Sequence, residues 1–247
     1  WVLFYFIVLA SWFLLFVMGG ANIEVNGSHS LLEREFWASI CRPGATLADL
    51  PKSFLMWSIM SLGMMLPTIV PTLRSYDDLI IGKIGSISGF YKLVAGFAII
   101  WIIFSGVLAI LQMLLVRNNL LGLDGILLNP IFSGVLLIFA AAYQLSPIKE
   151  ACLSKCRSPM AFFLEYGSRE YSYEFQLGIR IGVFCIGCCW ALMLLAFVGG
   201  TMNLFFMAIA MLLMTFEKLP DIGRLVTKPI ALCLIMLSSI YFLGAID

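Results

Sequence analysis

Three cysteines, Cys185, Cys188 and Cys189, lie in the uncharged apolar run Ile181–Met193. On a helix, at ~100° per residue, they fall within an arc of roughly 100°, so all three thiols share one face. Soft thiolate and thioether ligands favour Cu(I) over harder ions. A second source of sulfur is Met56, Met60 and Met64, which recur at four-residue spacing. They cover an arc of about 80° on their own helix. Met207, Met211 and Met214 also share one side of a later segment. A third source is Cys152 and Cys156, one helical turn apart, with Lys149, Lys155 and Arg157 close by in sequence. Neighbouring cations favour thiolate, which makes this pair a candidate capture or redox site. Two ligands are too few for a closed zinc site, and Cys185 and Cys188 could complete one only if the intervening insert folds back. Every stripe also reads as packing, since Met and Cys fill apolar interiors well. Cys185-Ile-Gly-Cys188 also has CxxC spacing, but inside a helix on a reducing side of the membrane it does not suit disulfide exchange.

The elements that must carry these residues are membrane helices. The chain has 247 residues, 62% hydrophobic and 12% charged, against about 25% charged in soluble proteins. A span needs about 20 apolar residues. Seven segments meet or approach that length: 1–18, 52–73 with Pro67 and Pro71 late in it, 90–116, 126–148, 177–198, 201–216 and 229–246. The expected fold is an all-α polytopic bundle forming one domain over 1–247. Residues 19–51 form an extracytoplasmic loop, and 149–176 a cytoplasmic insert lying along the interface. Phe162, Phe163, Tyr166, Tyr171, Tyr173 and Phe175 make that insert amphipathic. Gly199-Gly200 suits a tight helical hairpin.

Orientation follows from Lys and Arg. Arg34, Arg42, Lys52 and Arg117 fall on one side, and the other eleven of the 15 fall opposite. This places the N-terminus in the cytoplasm, the C-terminus outside and His29 outside. The sequon Asn26-Gly-Ser28 lies outside too. Entering from the inner side near Arg180, Cys185 lies ~7 Å and Cys189 ~13 Å deep. Met64, descending from the outer side, comes level with Cys188 and Cys189.

Other classes are disfavoured. Net charge is +1, so no basic surface serves nucleic acid. Seven cysteines scattered through apolar segments are not a disulfide framework. No carboxylate or histidine is central in a span, and Glu217 and Lys218 fall at a helix end. Buried carboxylates mark proton relays, so a proton-coupled pump is not expected. Tyr143, Gln144, Trp57, Trp101 and Trp190 read as packing or anchoring groups.

The runs Met56-Trp-Ser-Ile-Met-Ser-Leu-Gly-Met-Met-Leu-Pro67, Tyr143–Pro159 and Gly182-Val-Phe-Cys-Ile-Gly-Cys-Cys-Trp-Ala-Leu-Met193, followed by Met202-Asn203 and Glu217-Lys218, resemble one family. It is a prokaryotic family of integral membrane proteins predicted to bind metal. The resemblance implies metal ligands at Cys152, Cys156, Cys185, Cys188 and Cys189, with Met56, Met60, Met64 and Met65 as softer ones. It also implies a histidine before the cysteine run, in a slot that here holds Ile181.

Two functions fit. One is a multi-pass cell-membrane protein that binds or hands on a soft ion, copper above all, through Cys and Met. The other is a non-catalytic accessory or scaffold subunit of a larger membrane complex, such as a copper membrane oxygenase. Such a subunit would present a small-residue face, Gly89, Ala95 and Gly96, to partner helices.

Overall fold

A computed structural model describes residues 1–20, 37, 39–81, 86–122, 124–166, 173–220 and 222–244. His29, the sequon at Asn26, Lys83, Arg169 and Tyr171 lie outside these residues. Among the described residues there are helices and no strands. They are α1 (Val2–Gly20), α2 (Leu50–Met65), a 3₁₀ turn (Pro67–Ile69), α3 (Val70–Ile81), α4 (Ile87–Arg117) and α5 (Pro130–Gln144). There follow α6 (Pro147–Arg157), α7 (Pro159–Tyr166), α8 (Tyr173–Leu194), α9 (Ala196–Gly199), α10 (Leu204–Glu217) and α11 (Gly223–Leu243).

All seven expected apolar segments are helical, but their lengths differ. Five stretches are long and apolar enough to cross a membrane: Val2–Gly19, Leu50–Asp78, Ile87–Arg117, Tyr173–Gly199 and Gly223–Leu243. A sixth is counted if α5 and α6, bent by 60° at their junction, are one span. The bend has a local cause. Proline has no N–H and clashes with the turn before it, so Pro147 starts a new helix and cannot extend α5. Ser146 caps that new helix, its hydroxyl accepting from the Lys149 amide at 3.2 Å. The segment α10 has only 14 residues, or ~21 Å.

Proline also ends α2: Leu66 closes it and the 3₁₀ turn begins at Pro67. The hairpin at Gly199-Gly200 is present. Gly200 has φ +92, a left-handed backbone that glycine adopts without strain. Asn203 then caps α10, accepting from the Phe206 amide at 3.1 Å.

Glycine sets the closest helix contact. A Cβ on Gly178 of α8 would collide with the Leu93 carbonyl of α4, and one on Gly96 would collide with the Phe175 carbonyl. These two helices therefore meet backbone to backbone. This corrects the expectation of an outward small-residue face. Gly89 and Gly96 are buried and spent on the α4–α8 contact, and only Ala95 of the three faces out. The reason is spacing, since Ala95 is rotated ~100° from Gly96 on the helix.

α6 and α7 fold back onto the bundle, α6 against α8 and α7 against α3. Phe162 and Phe163 of α7 are buried in the core.

Candidate metal centre

Leu177, Gly178, Ile181, Gly182, Cys185, Cys188, Cys189 and Leu192 mark the buried face of α8. The three cysteines sit on it because their spacing matches the helical repeat. Their Sγ atoms all lie within 4.8 Å of one another, and all three are buried. The Cys188 and Cys189 sulfurs are 3.3 Å apart. The Cys188 thiol also reaches the Cys185 carbonyl at 3.2 Å.

α6 brings the other pair. Cys156 is buried near Cys188. Cys152 is half-buried and packs over Gly187, where a Cβ would meet its sulfur at 2.6 Å. A side chain at 187 would force the Cys152 thiol to swing aside. The fold-back that a mixed Cys152/Cys156/Cys185/Cys188 set would need is thus present, although the group of sulfurs within 4.8 Å of one another is Cys185, Cys188 and Cys189.

The bases beside this pair have other partners, which corrects one expectation. Lys149 Nζ is 2.8 Å from Glu217 Oε2. Arg157 Nη1 is 2.9 Å from Glu150 Oε1, and its Nε donates to the Glu217 carbonyl at 2.8 Å. Neither Lys149 nor Arg157 is aimed at a thiol, because each has a carboxylate in reach, buried Glu217 for Lys149 and exposed Glu150 for Arg157, and a carboxylate attracts a cation more strongly than a thiol does.

A second correction concerns buried charge. Glu217 and Lys218 are 1% and 3% exposed, although they end a helix. α10 stops short, and α6 fills the space beyond it. Glu217 accepts from Lys149 and from Gln144, which in turn accepts from Lys149. Gln144 is therefore part of a polar network and does more than pack. Lys218 turns the other way. Its Nζ lies 2.9 Å from Cys185 Sγ and 2.6 Å from Thr68 Oγ1. Thr68 went unremarked in the sequence, and Lys218 stood there only at a helix end and in a run shared with the family, not as a site residue. The signal for Lys218 was its adjacency to Glu217 at the foot of an apolar helix that carries methionines.

Met56, Met60 and Met64 are all buried. Thr68 follows Met64 by four residues, so the stripe ends at the hydroxyl that holds Lys218. Met207 and Met214 are also buried, and Met214 is four residues before Lys218. Tyr143 donates to the Gly187 carbonyl, and its ring stands edge-on to Trp190 at 5.0 Å. Trp57 donates to the Gln112 side chain. These groups pack and brace. Ile181, in the slot where the resemblance implies histidine, is buried and lines a small cavity with Cys156, Phe162 and Phe184.

The fold and this centre define a bundle of membrane-length apolar helices closed around a buried thiol cluster. The chain belongs to the PpoB2 copper chaperone family, which matches residues 54–241 and so spans every cysteine of the cluster. Comparisons with curated proteins and with solved structures return no match.

Proposed function

We propose that this protein is a multi-pass membrane copper chaperone that holds Cu(I) on Cys185, Cys188 and Cys189. The observation that carries this is three buried sulfurs within 4.8 Å of one another on one helix. A metal about 2.3 Å from each sulfur needs sulfurs within ~4.6 Å, so small side-chain rotations suffice. Sulfur-only donors suit Cu(I), and no oxygen-rich alternative lies in this cluster. Copper is the cargo here.

Cys156, buried near Cys188, offers a further ligand, and half-buried Cys152 lies one turn away on α6. A chaperone must release its ion, and ligands of graded exposure give copper a stepwise way out. The buried stripe Met56, Met60 and Met64 offers weaker neutral ligands along α2. The setting is a cell membrane, a prokaryotic plasma membrane by the family resemblance, with the N-terminus in the cytoplasm.

The test is copper content. Protein in lipid nanodiscs is loaded with Cu(I) under reducing, anaerobic conditions and desalted. Wild type retains about one equivalent, and Cys185→Ser/Cys188→Ser/Cys189→Ser retains none. Equal copper in the two proteins rejects the assignment.

A further inference from the structure

Lys218 is an ammonium group in an apolar interior, and among the described residues it has no carboxylate partner. The adjacent Glu217 is committed to Lys149. A charge placed there is costly unless something opposite in sign sits beside it. Its neighbours are one neutral hydroxyl and the Cys185 sulfur at 2.9 Å.

A metal–thiolate complex supplies the missing charge. When Cu(I) displaces protons from two thiols, two Cu–S bonds form and two protons leave. The product carries one net negative charge, and the third cysteine stays a neutral thiol. Buried alone, that anion would be disfavoured for the reason that Lys218 alone is disfavoured. Together they are neutral.

We infer that Lys218 is the counter-ion of the copper–thiolate complex, held against it by Thr68. This rests on the copper reading above and adds a binding residue that carries no sulfur. A lysine is suited to the place: its flexible stem delivers a compact charge that needs no bidentate partner.

The experiment measures Cu(I) affinity of the full chain in nanodiscs by competition with a Cu(I) chelator. A unit charge ~5 Å from the ion, at an effective dielectric of about 20, is worth on the order of 100-fold in affinity. Lys218→Met weakens binding by about that factor, and Lys218→Arg stays within ~10-fold of wild type. Thr68→Asp leaves the lysine in place but neutralises it, and weakens binding as Lys218→Met does. Thr68→Asn has a similar size without the charge and has little effect. Should Lys218→Met not fold, Thr68→Asp carries the test.

A cycle separates charge from scaffolding. Cys185→Met/Cys188→Met leaves Cu(I) a single thiolate beside neutral thioethers, so the complex is neutral and no longer needs the cation. In that background the Lys218→Met loss shrinks to under ~10-fold. The same loss in both backgrounds, or wild-type affinity in Lys218→Met or Thr68→Asp, overturns the inference. Those results leave the copper reading standing if the cysteines still hold Cu(I). A wild type without cysteine-dependent copper sinks both.

Discussion

Single residues decide whether sulfur in this protein is a ligand or filler. The cysteine trio was legible in the sequence because a helix turns each residue by a fixed angle, so spacing alone puts the three thiols on one face. Lys218 and Thr68 were not legible, because their contact with Cys185 joins three helices and no local spacing encodes it. Ile181 invites a test. It lines the small cavity beside Cys156 and precedes Cys185 by one turn. Ile181→His places an imidazole next to that thiol, and Cu(I) affinity by chelator competition rises about tenfold, the order of one added ligand interaction. Cys41 is different, lying outside the apolar spans with its thiol donating to the Met18 carbonyl at 3.6 Å. Burial pushes this thiol up from 9.0 to about 11. The folded chain therefore keeps the proton after the unfolded chain has lost it. Stability from this group is full below pH 9 and is lost as pH rises towards 11. Denaturation of wild type and Cys41→Ala across that window shows a steeper decline in wild type, by on the order of 2 kcal/mol.

Among the elements, α6 and α10 depend on each other. α10 ends early at Glu217, and its terminal carboxylate is met by Lys149 from α6. Arg157, at the far end of α6, donates to the same residue's carbonyl. The sequence showed an apolar helix and a polar insert, each unremarkable alone. Their docking was illegible because it depends on the bend at Pro147, whose angle no periodicity encodes. Breaking the pair by one partner leaves a buried charge unmatched. Glu217→Gln thus destabilises the protein by about 3–5 kcal/mol, read as a lower thermal midpoint in detergent. The double variant Lys149→Met/Glu217→Leu removes both charges and recovers most of that loss. The same docking carries Cys156 to the cluster. Glu217→Gln accordingly also makes Cys156 react faster with a thiol reagent, while Lys149→Met/Glu217→Leu keeps it slow.

At the scale of the whole molecule, the ends of the helices that lie together constrain the parity of the crossings. Trp1 donates to Asp77 at 3.0 Å, and Gly89 lies against both Tyr76 and Glu174. The start of α1 therefore shares an end of the bundle with the start of α8. At the opposite end Gly19 lies against Leu204, and the Leu127 amide donates to the Phe197 carbonyl. α10 leaves from that second end and finishes at Lys218, beside Cys185 and Thr68. Though only 14 residues long, it returns towards the first end. α11 then runs back, with Ser238 donating to the Gly134 carbonyl and Phe242 against the same glycine. Gly134 is in the first turns of α5, which starts at the second end. Trp1 and Gly244 thus sit at opposite ends of the bundle, as an odd number of crossings, five or seven, requires and six does not. With the N-terminus in the cytoplasm, as proposed above, the first end is the cytoplasmic one. An alkaline phosphatase fused after Gly244 is therefore active, as is one inserted between Gly44 and Leu47. One inserted between Ser158 and Pro159 is inactive, and a fluorescent protein there glows. Matching signals from the junctions at Ser158 and Gly244 would mean that α10 or α11 fails to cross.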